Sequence, residues 1–196
     1  MLKVLAISGS LRENGNTEYL ARHALSLFDP REFTTEFVSL RGLTVYPCRG
    51  CYGCVRARKC TQEGDDFALL YDKMVAADGL IIGSPVYYSS AHPQLMALLH
   101  RAGFVRLQSG EYFSGKVGGP ITVARRAGQN FAFAQLLLWF FINDIVVPGS
   151  TYWTVAVAGS KGARDAAGDA EGLRHIERFV ENMSRVMKAL QAAKTG

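Results

Sequence analysis

Short runs of apolar residues, each followed by a helical pattern, constrain this chain more than any other feature. Residues 3–8, 79–83 and 117–124 show no alternation of apolar and polar positions, so both faces of each strand are expected to be covered. Residues 33–40 do alternate and read as a second strand. A last strand region falls within 145–147 and 152–158, split by Pro148-Gly149-Ser150. Helical patterns occupy 17–27, 65–77, 93–105, about 129–143 and 169–193; the third of these has proline in its first turn. Apolar strands joined by helical crossovers predict an α/β fold, a doubly wound five-stranded parallel sheet of order 2-1-3-4-5 with helices on both faces. The 196 residues, 48% of them hydrophobic, suit one domain spanning 1–196, with a cysteine-rich loop at 42–64.

In such sheets ligands sit beyond the carboxyl ends of the strands. Three loops fall there, at 8–17, 84–90 and 124–129. The first, Ser8-Gly9-Ser10-Leu11-Arg12-Glu13-Asn14-Gly15-Asn16-Thr17, has the composition of a phosphate cradle. Glycine lets the backbone approach, Ser8, Ser10, Asn16 and Thr17 offer hydrogen bonds, Arg12 adds charge, and the following helix start supplies oriented amides. Its spacing is neither G-x-G-x-x-G nor G-x-x-x-x-G-K-[ST]. The bland alternative is a plain turn capped by Asn16 or Thr17. In the second loop Pro85 fixes the direction in which the chain leaves Ser84, and Val86 and Tyr87 follow with an aromatic ring available for stacking. Tyr88 is expected to pack over the end of the sheet.

Four cysteines, Cys48-x2-Cys51-x2-Cys54-x5-Cys60, are all that the chain contains. Soft thiolates confined to one loop suggest one shared ligand, a zinc ion or an iron–sulfur cluster. The run differs from the ferredoxin C-x2-C-x2-C-x3-C-P, whose last cysteine serves another cluster, so Cys60 can return to the same site. Gly50 and Gly53 are expected to supply tight turns. Arg49, Arg56, Arg58 and Lys59 would offset the negative charge of four thiolates around a metal core. Structural zinc, free thiols and a Cys51–Cys54 redox dithiol are the alternatives.

Residues 8–17 together with Ser84-Pro85-Val86-Tyr87 resemble the NADPH-dependent FMN reductase branch of the flavodoxin-like superfamily, and the cysteine spacing resembles the iron–sulfur flavoproteins within it. The resemblance covers nearly the whole chain. It implies bound FMN, with Ser84, Pro85, Val86 and Tyr87 along the flavin ring, and a [4Fe-4S] cluster on Cys48, Cys51, Cys54 and Cys60. It further implies a redox protein moving electrons between cluster and flavin, from a ferredoxin-like donor to a small acceptor, and a homodimer or homotetramer. An NAD(P)H-dependent FMN or quinone reductase without a cluster is the alternative, and a zinc-stapled binding module without flavin is a third. The third loop, Arg125-Arg126-Ala127-Gly128-Gln129, departs from the small residues usual in that family. Arg125 and Gly128 are expected beside the polar edge of the flavin, where positive charge favours the reduced anion; a nicotinamide phosphate or solvent are the other partners open to the two arginines. No general acid–base pair stands out, as expected where a cofactor carries the chemistry.

Net charge is +5, yet no helix carries a basic stripe, which argues against nucleic acid. The N-terminal apolar stretch is too short for a signal peptide and no run is long enough for a membrane span, so a cytoplasmic location is expected. Residues 131–142 form a helix apolar almost all round, interrupted by Gln135, expected to divide its surface between the core and a partner chain. His23, His92, His100 and His175 are too scattered to suggest a metal site.

Overall fold

The computed structural model describes residues 1–110, 113–159 and 164–195. At its centre lie β1 (Leu2–Ser8), β2 (Phe33–Ser39), β3 (Gly79–Pro85), β4 (Val117–Ala124) and β5 (Val155–Val157), in the spatial order β2-β1-β3-β4-β5. Every pairing is parallel, and Ile7 at the centre faces Val38 on one side and Ile82 on the other. The order reverses between β1 and β3, which opens a crevice at their carboxyl ends.

Helices α1 (Asn16–Ser26) and α6 (Ala170–Thr195) cover one face, and α3 (Phe67–Ala76), α4 (Pro93–Ser109) and α5 (Gln129–Ile142) the other. The two-residue strand period sorts β1 between them. Leu5 and Ile7 pack with Leu70, Leu98 and Phe140, whereas Val4 and Ala6 pack with Leu20, Phe179 and Met183. All four β1 side chains are at most 2% exposed, which is why the sequence there does not alternate. Each such Leu, Ile or Val contributes about 1.5–3 kcal/mol relative to an exposed position. Two glycines let α6 lie directly on the sheet: a Cβ on Gly79 would stand 2.5 Å from Met183 Cε, and one on Gly119 2.9 Å from Phe179.

Several boundaries differ from expectation for local reasons. The helix expected from residue 65 begins at Phe67, because both acids bond backwards instead of entering it. Tyr46 N donates to Asp65 Oδ2 (2.8 Å) and Thr44 N to Asp66 Oδ2 (2.7 Å), tying down the start of the cysteine loop. A five-residue helix, α2 (Gly53–Ala57), lies inside that loop and was not anticipated. The last strand region contracts to β5, with Val146 making one isolated parallel bridge to Val117. A 3-10 turn at Asp165–Gly168 precedes α6. No helix among the described residues is long and apolar enough to cross a membrane.

Candidate functional site

The carboxyl ends of β1, β3, β4 and β5 frame a cleft of about 230 Å3 lined by Ser10, Arg12, Asn16, Thr17, Pro85, Val86, Tyr87, Arg125, Val123, Ala124, Ala158 and Gly159. A larger groove of about 510 Å3 lies along β2 and α3, away from the strand ends where parallel sheets hold ligands. The smaller cleft has the chemistry. In the first loop Ser8 is fully buried and its Oγ accepts from Ser10 N (3.3 Å), while Ser10 Oγ accepts from Arg12 N (3.2 Å), so the two hydroxyls shape the turn. The N-cap of α1 is Gly15, not Asn16 or Thr17. A residue without a side chain cannot satisfy the first-turn amides, which leaves them for an anion. Asn16 has another duty: its Oδ1 accepts from Ala166 N (2.9 Å), fastening the start of α1 to the turn before α6.

The second loop is a tight reversal. Tyr87 and Ser90 exchange backbone hydrogen bonds of 2.9 Å each way, and Tyr88 (φ 48°) and Ser89 (φ 62°) between them are both left-handed. Two left-handed residues turn the tip outward, so Tyr88 is fully exposed rather than packed over the sheet. Tyr87 stays at the cleft, 41% exposed, with its ring edge-on to His92. Ser84 lies beneath the cleft instead of lining it: its Oγ accepts from His92 N (3.0 Å) and donates to Pro85 O (2.8 Å). Gln135, the polar break in α5, accepts from Ser90 Oγ (3.1 Å) and Ala91 N (2.9 Å) and anchors the reversal. Gly128 is also behind the lining. It caps α5 at φ 90°, and a Cβ there would stand 2.9 Å from Ser89 Oγ and 3.1 Å from Val86, so its bareness lets the third loop close on the second.

The cysteine loop folds under α4. Gly50 (φ 63°), Tyr52 (φ 56°) and Arg58 (φ 54°) are left-handed and reverse the chain around α2. The four thiols, all free, thereby line one narrow cavity together with Arg49, Thr61, Arg101, Phe104 and Val105. Of the two glycines expected to supply tight turns, Gly50 is left-handed and Gly53 is not, though the Gly53 amide does act on the Cys51 sulfur. Gly53 requires space, because a Cβ would collide with Thr61 Oγ1. Cys54 is buried, Cys60 half-buried, and Cys48 and Cys51 stand at the solvent side. Gly50 N donates to Cys48 Sγ (3.4 Å), and Thr61 Oγ1 lies 3.9 Å from Cys51 Sγ. The Gly53 amide, then Thr61, holds the Cys51 thiol below its ordinary pKa; burial, then the other three sulfurs, pushes Cys54 up. Among the described residues no three His, Cys, Asp or Glu side chains are gathered closely enough for a single ion.

Residues 2–160 match the family described as NADPH-dependent FMN reductase. The chain belongs to this family. It is a flavin-dependent oxidoreductase, and its flavin is FMN. An iron–sulfur flavoprotein of Methanocaldococcus jannaschii is 34% identical over 195 residues, covering 97% of this chain and 100% of that protein. Another, of Methanosarcina thermophila, is 29% identical over 192 residues, covering 97% of each. RosB, solved with a bound 8-demethyl-8-formylriboflavin-5′-phosphate intermediate, superposes with a TM-score of 0.79 over 98% of this chain and 81% of that one, at 21% identity. The fold is flavodoxin-like.

Two groups in this FMN reductase family member escaped the sequence. Ala158 and Gly159, beyond β5, also line the cleft, although three loops alone were expected to form it. More important is Arg101 on α4. The expected counter-charges Arg56, Arg58 and Lys59 are exposed and do not line the cysteine cavity; of the four cations named, Arg49 does. The buried cation is Arg101, 1% exposed, paired with the equally buried Asp65. Its signal was its place on the helix. Leu98, Arg101 and Val105 fall at i, i+3 and i+7 on one apolar stripe, where a charge requires a partner.

Proposed function

We propose that this flavoprotein exchanges electrons between FMN in the carboxyl-edge cleft and a [4Fe-4S] cluster on Cys48, Cys51, Cys54 and Cys60, accepting them from a ferredoxin-like donor and delivering them to a small acceptor. One observation carries the reading: four thiols separated in sequence line one cavity, and a single helix joins that cavity to the cleft. Helix α4 begins beside the second loop at Pro93 and passes Arg101, Phe104 and Val105 along the cysteines. From residue 92 to 101 it rises about 14 Å, a short and rigid separation. The donor set fits the group, since thiolates are the ligands of iron–sulfur clusters, and the backbone and hydroxyl donors at Cys48 and Cys51 suit sulfur carrying negative charge. The cluster supplies one-electron transfer and the flavin a two-electron store.

At the cleft the uncapped amides of α1, with Ser10 and Thr17, suit the flavin phosphate, and Arg12 adds charge at its mouth. Pro85, Val86 and Tyr87 line the cleft and would hold the isoalloxazine, with the Tyr87 ring available to it. Arg125 at the cleft would favour a reduced, anionic flavin. Ser8, Ser84, Asn16 and Gly128 hold these loops in place. The basic rim of Arg56, Arg58 and Lys59 suits an acidic donor, and reversing the charge of Arg56 and Arg58 is expected to slow electron entry and flatten its salt dependence. The exposed apolar side chains Phe131, Leu138, Phe141 and Ile142 of α5, each at least 67% exposed, suit pairing with a second copy of the chain.

Anaerobic isolation tests the reading. Flavin absorbance with iron and acid-labile sulfide in equal amounts, near four per chain, is the expected result; flavin without iron leaves the nicotinamide-dependent reductase, and zinc alone overturns both. The family assignment and Arg125 at the cleft, with the exposed Arg126 next to it in sequence, favour that second reading, in which the arginines bind a nicotinamide phosphate. Anaerobic mixing with NADPH and, separately, with a reduced ferredoxin distinguishes them by which one bleaches the flavin.

A further inference from the structure

Arg101 is buried at the wall of the cysteine cavity and is bonded through both terminal nitrogens. Nη1 donates to Asp65 Oδ2 and to Tyr46 O (3.1 Å), and Nη2 donates to Cys60 Sγ (3.2 Å) and to Gln62 O (3.2 Å). The guanidinium lies 4.0 Å over the ring of Phe67. Its Nε has no hydrogen-bond partner among the described residues, a buried donor left open. Burial alone would lower the pKa of the guanidinium, but its bonds to Asp65 and Cys60 outweigh that and raise it. The group is therefore a permanent cation in a medium of low dielectric, where a nearby charge is felt far more than in water.

We propose that Arg101 is the positioning residue of the sulfur site, orienting Cys60 through the guanidinium–sulfur bond and setting the reduction potential of the group that the four cysteines hold. The inference rests on the cluster reading above and assigns it a residue. Reduction adds one negative charge to the site, so a fixed cation in contact with one ligand favours the reduced state. Asp65 opposes it with the opposite charge from the far side of the same guanidinium. The two therefore act with opposite sign. Lysine does not substitute fully, because one ammonium cannot hold Asp65, Cys60 and the Tyr46 and Gln62 carbonyls together.

The test compares wild type, R101M, D65N and the R101M/D65N double variant after anaerobic reconstitution. Iron, acid-labile sulfide and flavin are counted per chain, and the iron–sulfur signal is titrated by electron paramagnetic resonance. At a fixed applied potential, R101M is expected to lower the reduced-to-oxidised ratio tenfold or more, 59 mV for a one-electron couple. D65N is expected to raise it, and the neutral double variant to fall between them. Flavin content unchanged across the set shows that the fold is intact at the cleft. Opposite shifts support the proposal, because a merely structural role would move both single variants the same way. Equal potentials, shifts of the same sign, or failure of all three variants to fold would overturn it. A wild type without iron and sulfide would instead sink the cluster reading itself.

Discussion

Two glycines separate the roles of the two cavities at the level of single residues. Gly53 is needed for space against Thr61, and Gly128 for both a left-handed φ and close contact with Ser89. G53A is expected to displace Thr61 from Cys51 and reduce iron per chain while leaving bound flavin unchanged, as metal analysis and absorbance on the same sample will show. G128A is expected to do the reverse. Its left-handed conformation costs about 1–2 kcal/mol for a residue with a Cβ, which loosens the second loop and weakens FMN retention; fluorescence titration of released flavin reads this out. The residue types at the cleft were legible because glycine, hydroxyls and free amides at a strand–helix turn suit an anion. Which of them would face the cleft was not. Ser8, Ser84 and Gly128 are the right residues in the right loops, but they are consumed in shaping the backbone, and nothing in their identity distinguishes a hydroxyl that caps its own chain from one left for a ligand.

Helix α4 runs between the two cavities, and its N-cap residue is sensitive to pH. His92 caps it, with Nδ1 accepting from Gln94 N (3.3 Å), which requires a neutral imidazole. Burial holds the pKa of His92 below the ordinary 6.5. Between the folded and unfolded values the unfolded chain binds the proton more readily, so this contribution is complete above 6.5 and is lost as pH falls through the folded value. Denaturant midpoints at about pH 7.5 and about pH 5 are expected to differ more for wild type than for H92N, whose amide caps without titrating; the capping bond is worth about 1 kcal/mol. The helix was anticipated from proline at its start and its apolar spacing. Arg101 was hidden because a charge among apolar residues looks the same in sequence whether it is solvated or paired. Asp65 and Asp66 misled in a related way, since paired acids before a helix suit its dipole, while here they bind the amides of Tyr46 and Thr44. α2 was invisible because five residues among glycines and cysteines carry no periodicity.

For the molecule as a whole, the strand order was legible because unbroken apolar strands with helical crossovers admit few sheets, whereas the reach of the last connection across the cleft was not. The same architecture ties cofactor to stability. Free FMN at about a hundred times its dissociation constant is expected to stabilise the folded chain by about 2.7 kcal/mol. At about 2–4 °C per kcal/mol for this size, the unfolding midpoint should rise by about 5–11 °C, read by thermal denaturation of flavin-stripped protein with and without FMN. The bond from Ala166 N to Asn16 Oδ1 joins positions 150 residues apart. During synthesis the turn after β1 lacks this brace until residue 166 has left the ribosome. A chain stalled before residue 166 is expected to lack that brace and to retain the vitamin-derived group poorly.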